Sequence, residues 1–328
     1  MNIYDIAAKS GVSIATVSRV LNNADNVKAA TRQRVLQVMQ EEGFTPNKFA
    51  RGLSLGSMRM VGILCSNIRD PFYANAVGYV EDFLRQNDLN AVLRCTGPAV
   101  EDKQKALDYL VHQKMDAIIL VGSSSIEETD NSHIAQAAAQ VPVIIINGYV
   151  DLPGVYCVTC DERAAIAELT GLLFRRNRQR VLLLHGPMTQ SCRQKIAGYT
   201  DAHKTAGMPL VESRIVESER QLEQINACVK HLLVTGVSFD AIVGTEDVLA
   251  VGAQKALQRI GLTMPVVGFN NSHLAQCSSP ELTSVDNELE KLCNTALQTL
   301  VDLLDKKEVT PHITIPARLV ERESFRFN

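Results

Sequence analysis

Residues 11–23 read GVSIATVSRVLNN, a tight turn followed by one short helix. Gly11 allows a sharp turn, and Ser13 is a residue type typical of a helix N-cap. Because successive helical residues lie about 100° apart around the axis, this helix has two different sides. Val17, Val20 and Leu21 gather on one side, and Ile14, Ala15, Ser18, Arg19 and Asn22 gather on the other. The pattern predicts that the first side packs inward and the second faces outward.

Helices on either side of this stretch complete a predicted all-α unit over residues 1–45. The inward side can pack against Ile6 of an earlier helix and against Val35, Leu36 and Met39 of a later one. In a helix-turn-helix, the second helix enters the major groove of DNA with its N-terminal residues nearest the bases. Arg19 suits a bidentate contact to guanine, whereas Ile14 and Ala15 suit thymine methyl groups. The alternative is an ordinary three-helix bundle in which an exposed Ile14 has no functional meaning.

The charge of the chain is distributed unevenly. Residues 1–59 carry eight Lys and Arg against four Asp and Glu, so their net charge is +4, whereas the whole chain carries −3. A basic head on an acidic body is typical of a head that contacts a polyanion.

The remaining composition excludes several classes of protein. No run approaches about 18 uncharged apolar residues, and the first residues lack the apolar run of a secretory signal, which predicts a cytoplasmic chain with no membrane partner. Cys157 and Cys160 form an isolated C-x-x-C. A zinc site needs a second pair, so this pair is predicted to be structural.

From residue 60 onward, apolar strands alternate with amphipathic helices. The strands are predicted at residues 60–67, 90–95, 116–122, 141–147, 180–186, 240–245 and 265–269. Near-continuous Val, Ile and Leu strands separated by helices predict parallel sheets covered on both faces, and their number favours two doubly wound α/β lobes. Ligands of such sheets bind at the carboxyl ends of the strands. Those ends are the loops after Cys65, Val121, Ile146, His185, Thr245 and Phe269.

The two predicted parts are joined by residues 46–57. Pro46 ends the preceding helix, and Gly52 weakens the helix that the following residues could form. We therefore expect a linker that folds only against a partner.

The sequence as a whole resembles the lactose/galactose repressor (LacI/GalR) family of bacterial transcription regulators. The likeness is strongest at IYDIAAKSGVSIATVSRVLNN and continues through TRQRVLQVMQEEGFTPNKFARGLS, VGILCSNIRDPFY, GTEDVLAVGAQKAL, VVGFNNS and ARLVERES. It implies a homodimer on pseudo-palindromic operator DNA, with a helix-turn-helix head, a hinge helix and a core of periplasmic-binding-protein type. It also implies lobes of about 58–158 with 286–308, and 159–285 with 309–328.

The resemblance implies roles for residues that meet DNA. Ile14, Ala15 and Arg19 match base-reading positions, and Thr16, Ser18 and Asn22 match positions that mostly contact the phosphate backbone. The hinge residues implied to meet DNA are Asn47, Arg51, Leu53 and Ser54. Leu53 is expected to wedge into the minor groove at the centre of the operator and to kink it.

The resemblance also implies a small effector between the lobes, a sugar or sugar derivative. Arg193 matches the family's effector-binding arginine, Phe72 and Tyr73 match an aromatic edge, and Asp161 matches an acidic cleft position. Asn147, Glu246 and Asn270 stand where other members often carry Asp or Asn-Asp. The amides favour an acidic sugar or a sugar phosphate, whereas Glu246 opposes an anion, so the effector stays open.

Other classes of function remain as alternatives. A free-standing sugar-binding protein would use the same lobes, and a regulator could respond to a phosphoprotein co-repressor. An enzyme is not expected, because P-loop, G-x-G-x-x-G and nucleophile patterns are missing, and no cofactor or metal is predicted. No apolar heptad tail follows the closing strand, which favours a dimer over a tetramer.

Overall fold

The computed structural model describes residues 2–21, 24, 26–44 and 58–325. Contacts divide the chain into two compact units, Met1–Met58 and Arg59–Asn328.

The first unit is a small helical domain. Its described helices are α1 (Ile3–Ser10), α2 (Ile14–Leu21) and α3 (Ala29–Glu41). Asn2 and Asp5 form a reciprocal capping box at the start of α1, and Gly11 ends that helix in the left-handed region with a φ of 64°. Glycine adopts the left-handed conformation more easily than other residues, so Gly11 can make the sharp turn between α1 and α2.

The core of this unit follows the predicted inward face. Ile6, Val17, Val20, Val35 and Met39 are all buried. The prediction for Leu36 is wrong, because its side chain is 50% exposed. Helix α3 turns Val35 and Met39 inward at four-residue spacing, whereas Leu36, about 100° from Val35 around the axis, lies at the edge of that face and is exposed.

The second unit contains twelve described strands and nine described helices. The strands are β1 (Met60–Cys65), β2 (Asn90–Cys95), β3 (Ala117–Val121), β4 (Val143–Ile146), β5 (Val155–Cys160), β6 (Val181–His185), β7 (Ile215–Glu217), β8 (Ala241–Gly244), β9 (Val266–Phe269), β10 (Thr283–Asp286), β11 (His312–Ile315) and β12 (Arg318–Val320). The helices are α4 (Pro71–Gln86), α5 (Val100–His112), α6 (Ser132–Ala138), α7 (Glu162–Arg175), α8 (Gln190–Thr205), α9 (Leu222–Val234), α10 (Asp247–Arg259), α11 (His273–Cys277) and α12 (Leu289–Leu304). Short 3₁₀ turns occur at Ser123–Ser125, Glu212–Arg214 and Glu323–Phe325.

These strands form two six-stranded sheets, one in each lobe. The first has the order β11-β5-β4-β3-β1-β2, and the second has the order β12-β10-β9-β8-β6-β7. All pairs are parallel except β10 with β12, which is antiparallel. Strands β3, β4, β6 and β8 are buried along their whole length, as expected when helices cover both faces. The predicted fold class, a helix-turn-helix head with two doubly wound α/β lobes, is confirmed.

The chain passes between the lobes three times, and this corrects the predicted lobe boundaries. The passages lie after Cys160, after Asp286 and between Ile315 and Arg318. Strand β11 pairs with β5 of the first sheet, so the segment 309–328 divides between the lobes and does not belong wholly to the second. The position of the four-residue strand β11 depends on main-chain pairing with a strand that is distant in the sequence. The local sequence of β11 does not reveal this pairing.

Helices α7 and α8 of the second lobe lie unusually close together. A Cβ atom on Gly198 of α8 would lie 2.2 Å from the main-chain oxygen of Arg163 in α7. Only glycine permits this approach, which holds the first turn of α7 against the middle of α8. In the described part of the chain, no helix is long and apolar enough to span a bilayer.

Candidate functional site

The outward side of α2 is exposed, as the sequence predicts. Ile14 is 42% exposed, Ala15 and Arg19 are exposed, and Thr16 and Ser18 are half-buried. The main-chain N–H of Thr16 donates to Oγ of Ser13 at 3.2 Å, so Ser13 caps the helix as expected.

The remaining predicted DNA contacts lie outside the described residues. They are Asn22, Asn47, Arg51, Leu53 and Ser54. The described face thus presents a short apolar tip, Ile14 and Ala15, followed one turn later by the cation of Arg19.

The second candidate site lies between the two lobes, at the carboxyl ends of both sheets. A small space of about 60 Å³ is lined by Asp70, Phe72, Tyr73, Gly122, Ser123 and Asn147 of the first lobe, by Glu162, which follows β5, and by Thr189, Ser191, Lys195, Arg220, Glu246 and Asn270 of the second. An outer groove of about 880 Å³ shares Asp70, Phe72, Arg220, Glu246 and Asn270 with it. A side pocket of about 310 Å³ shares Ser123, Asn147, Glu162 and Ser191. We call the small space the interlobe site.

Three residues at the start of α4 form the first-lobe wall. Asp70 caps the helix by accepting from the main-chain N–H of Phe72 at 2.9 Å. Burial raises the pKa of Asp70 above its ordinary value. The ring of Tyr73 packs edge-on against Phe72 with centroids 5.3 Å apart, and its hydroxyl donates to Oγ of Ser124 at 2.8 Å. Phe72 and Tyr73 therefore lie where the sequence places them.

Lys195 and Glu162 form a buried ion pair at the centre of the site. The side chains are each 5% exposed, and Nζ of Lys195 lies 3.3 Å from Oε1 of Glu162. The same Nζ donates to the main-chain oxygen of Thr245 at 3.1 Å and lies 4.0 Å from the centroid of the Phe269 ring. Oε1 of Glu162 also accepts from Oγ of Ser191 at 2.7 Å. This pair is held by hydrogen bonds on both sides, as a buried ion pair requires.

Arg220 and Glu246 form a second pair nearer the outer groove. Nε of Arg220 donates to Oε2 of Glu246 at 2.6 Å, and Nη2 donates to Oε1 at 2.5 Å. Nη1 lies 3.9 Å from Oδ2 of Asp70, across the gap between the lobes. Burial lowers the pKa of Arg220, but the hydrogen bond and charge of Glu246, together with Asp70 and Tyr73, outweigh burial, so the pKa lies above its ordinary value.

The two predicted amides also line the site. Nδ2 of Asn147 donates to Oε1 of Glu162 at 3.2 Å, and its Oδ1 accepts from the main-chain N–H of Cys160 at 3.1 Å. Oδ1 of Asn270 accepts from Nδ2 of Asn287 at 3.0 Å. Both residues adopt positive φ, 57° at Asn147 and 98° at Asn270, which asparagine tolerates better than most residues.

Two of the residues predicted to bind the effector, Arg193 and Asp161, do not line the interlobe site. Arg193 departs further from its prediction. Nη1 of Arg193 donates to the main-chain oxygen of Met188 at 3.2 Å and lies 3.5 Å from Oε2 of Glu128. Residues two apart on a helix point about 200° apart, so Lys195 faces the site and Arg193 does not. Asp161 lines the side pocket, where its Oδ1 caps α7 by accepting from the N–H of Ala164 at 3.0 Å.

Several residues of the interlobe site were missed from the sequence. They are Asp70, Ser123, Glu162, Thr189, Ser191, Lys195 and Arg220. A signal for Lys195 does exist, because Cys192, Lys195 and Tyr199 share the buried face of α8 at i, i+3 and i+7 spacing. A lysine on that face points inward with its apolar neighbours, and such a lysine needs a partner.

Behind the site, Asp247 organises the loop that follows β9. Its Oδ2 accepts from the main-chain N–H of Ser272 at 2.6 Å and from Oγ of the same serine at 2.7 Å. Oδ1 accepts from Oγ of Ser284 at 2.5 Å. Burial raises the pKa of Asp247 to about 6 although these hydrogen bonds lower it. Across the residues described, no group of three His, Cys, Asp or Glu side chains is arranged to hold a metal ion.

Two protein-family models match this chain, one over each unit. Residues 2–47 match the model of bacterial regulatory proteins of the lacI family. Residues 58–323 match the model of periplasmic binding proteins and the sugar-binding domain of the LacI family. The chain therefore belongs to the LacI family of DNA-binding transcriptional regulators.

The similarity to the following relatives and solved structures covers nearly the whole chain. A helix-turn-helix transcriptional regulator of Lachnoclostridium phytofermentans is 41% identical, with 100% of both chains covered. The transcriptional regulator CelR in complex with cellobiose is 25% identical, with a TM-score of 0.72 and 99% of both chains covered. The lac repressor dimer bound to operator and the anti-inducer ONPF has a TM-score of 0.87 at 23% identity, with 99% of this chain and 98% of that one covered, and this likeness shows the fold.

Proposed function

We propose that this regulator is a cytoplasmic repressor, not an enzyme, that binds a pseudo-palindromic operator as a homodimer. A sugar or sugar derivative in the interlobe site controls that binding. Family membership supports the DNA-binding part of the proposal, and the cellobiose complex of CelR supports a sugar ligand.

On the DNA side, Ile14, Ala15 and Arg19 are proposed to contact bases. Thr16, Ser18 and Asn22 are proposed to contact the DNA backbone, together with the hinge residues Asn47, Arg51 and Ser54, while Leu53 is the proposed minor-groove wedge. The exposure of Ile14, Ala15 and Arg19 supports the first assignment.

The observation that carries effector control is that side chains from both lobes meet in one polar space. Arg220 of the second lobe faces Asp70 of the first, and the N–H of Ser191 donates to Oγ of Ser123 at 3.1 Å across the gap. A ligand that contacts both lobes favours one relative arrangement of the lobes over others, and so shifts the population. The interlobe site of about 60 Å³ shares five lining residues with the outer groove of about 880 Å³, so a ligand in this region can reach both lobes.

The charges of the site favour a neutral, hydroxyl-rich ligand over a phosphate. Among the described lining residues, Asp70, Glu162 and Glu246 are acidic, and Lys195 and Arg220 are basic. Both cations already have carboxylate partners, so an added dianion would meet an excess of negative charge. Carboxylates accept hydrogen bonds from sugar hydroxyls, and amides both accept and donate, without that cost.

The proposal is tested by screening neutral sugars, sugar acids and sugar phosphates for a thermal shift of the full chain. Each ligand that raises the melting temperature is then added to operator titrations at fixed salt. Arg220→Gln removes an interlobe-site cation, and Arg193→Gln is the matched control outside the site. We expect Arg220→Gln to lose at least tenfold in ligand affinity, about 1.4 kcal/mol, and to keep operator binding without ligand.

Arg193→Gln should keep both properties. Equal losses in the two variants would refute the assignment of the site. A sugar phosphate that binds more tightly than every neutral sugar would refute the ligand class. Operator binding that no stabilising ligand changes would refute effector control.

A further inference from the structure

Two cysteines that are far apart in the sequence meet at the edge of the first sheet. Cys65 is the last residue of β1 and Cys95 is the last residue of β2, and the two are direct partners in the parallel register. Their Sγ atoms are 3.7 Å apart. By contrast, Cys157 and Cys160 pack into different apolar clusters on opposite faces of β5, although their spacing is that of a redox motif.

The backbone geometry allows a bond between the two sulfur atoms. Neighbouring strands lie about 4.8 Å apart, within the Cα separation of roughly 4.4–6.8 Å that disulfides accept. The sulfur atoms would have to approach to about 2.05 Å. Both residues end their strands and β2 is an edge strand, so side-chain rotation and small shifts of the chain can supply this movement.

The two thiols differ in their access to solvent. Cys95 is exposed, whereas Cys65 is buried. Burial and the neighbouring Cys95 raise the pKa of Cys65 to about 12. Cys95 is therefore the thiol that an oxidant in solution reaches first, and Cys65 is placed to react with it afterwards.

We propose that Cys65 and Cys95 are an oxidation site, at which hydrogen peroxide converts the dithiol to a disulfide within one chain. The Sγ of deprotonated Cys95 attacks one peroxide oxygen, the O–O bond breaks, and hydroxide leaves and is protonated to water, which yields a sulfenic acid. The Sγ of Cys65 then attacks the Cys95 sulfur, the S–O bond breaks, and the departing hydroxide takes the Cys65 proton to form a second water. The two thiols lose two electrons, and the peroxide gains them.

The bond would join the edge strand β2 to its neighbour β1, beside the interlobe site. The chain runs from Cys65 through Ser66 and Asn67 to Asp70, which lines that site. Main-chain hydrogen bonds from Thr96 to Cys65 at 3.0 Å and from Gly97 to Ser66 at 2.9 Å already connect these two ends.

Peptide mapping of the full-length chain tests the proposal. Trypsin places Cys65 in residues 60–69 and Cys95 in residues 95–103, and each peptide contains one cysteine. After treatment with equimolar hydrogen peroxide and alkylation of the remaining thiols, we expect the two peptides to be linked in most of the chains. Dithiothreitol should release them. The oxidised chain should run as a monomer on a non-reducing denaturing gel.

Cys95→Ser should abolish the link and Cys65→Ala should stop the reaction at the Cys95 sulfenic acid, which dimedone traps. Cys277→Ser, which removes another exposed thiol, should leave the link unchanged. Oxidation of the wild-type chain that ends as sulfenic or sulfinic acid on Cys95 without the link would overturn the proposal. A Cys95–Cys95 link between two chains, seen as a covalent dimer, would overturn it as well.

Discussion

The outward face of α2 and the interlobe site use charge in opposite ways. Arg19 stands exposed beside the apolar Ile14 and Ala15, whereas Lys195 is buried and paired with Glu162 of the same chain. An exposed cation keeps its hydration until DNA replaces it, and contributes little to folding. A buried pair is already desolvated, so the fold depends on both partners. The same residue types are therefore expected to govern affinity in one region and stability in the other.

The largest expected effect is the loss of stability when Lys195 is replaced. Lys195→Met leaves Glu162 buried without its cation, which costs about 3–5 kcal/mol in the free energy of unfolding. Urea denaturation of the second unit measures this loss. The double variant Lys195→Met/Glu162→Gln should recover most of it, because the uncompensated charge is then removed.

Arg193→Met is the matched control on the same helix. Its side chain is partly exposed and points away from the interlobe site, so the change should stay within about 0.5 kcal/mol. If Lys195→Met proves as mild as Arg193→Met, the pair with Glu162 does not support the fold, and the contrast between the two regions fails.

A second test concerns the pH dependence that Asp247 gives to the same unit. Because its pKa in the folded chain is about 6, against 3.8 without the fold, folded Asp247 holds a proton between these values that the unfolded chain has lost. Asp247 therefore contributes its full stabilisation below about pH 4. As the pH rises to about 6, its contribution to the free energy of unfolding decreases by on the order of 3 kcal/mol.

Comparison with Asp247→Asn isolates that contribution from the other carboxyl groups. Urea denaturation of both chains from pH 4 to pH 7 should show the wild type losing stability relative to the variant as the pH rises. A difference between the two chains that stays constant across this range would show that Asp247 remains ionised in the fold.

The sequence predicts the architecture better than the lobe membership of its last strands. Runs such as VLLLHG and AIILVG are apolar enough to indicate buried parallel strands by themselves. Strand β11, by contrast, has only four residues, and its partner β5 is about 150 residues earlier in the chain. Its place depends on long-range main-chain pairing, which no local pattern encodes.

For the interlobe site, the sequence predicts which loops meet but not which side chains. Asn147, Glu246 and Asn270 follow strand ends, and the family resemblance selected them among the residues of those loops. Arg193 was predicted in place of Lys195 because the family's effector-binding residue is an arginine. Which of the two side chains faces inward depends on how α8 is rotated about its axis. The pairing of Arg220 with Asp70 joins loops from different lobes, and the meeting of Cys65 with Cys95 depends on strand register, so neither could be read locally.

A third and smaller effect is expected at the outward face of α2. Arg19→Ala should weaken operator binding by about 1–3 kcal/mol and relax the preference at one base pair in each half-site. Its effect on unfolding should be within about 0.5 kcal/mol, because the side chain is exposed. Titrations against operators that vary one base pair at a time measure this preference. A uniform loss across all of them would mean that Arg19 contacts phosphate and not a base.

The smallest effect on stability is expected for a Lys–Glu pair in the first unit. This pair has the same residue types as Lys195 and Glu162 but is not buried. Nζ of Lys9 lies 2.5 Å from Oε1 of Glu42, but the side chains are 49% and 28% exposed, against 5% each for Lys195 and Glu162. Water solvates the exposed pair whether or not it forms, so Glu42→Gln should cost about 0.2–1 kcal/mol, as judged by amide hydrogen exchange within the first unit. Raising the salt concentration should shrink this cost further, since exposed charges are screened and buried ones much less. A cost at Glu42 as large as that of losing Lys195 would mean that burial does not set the strength of such pairs in this chain.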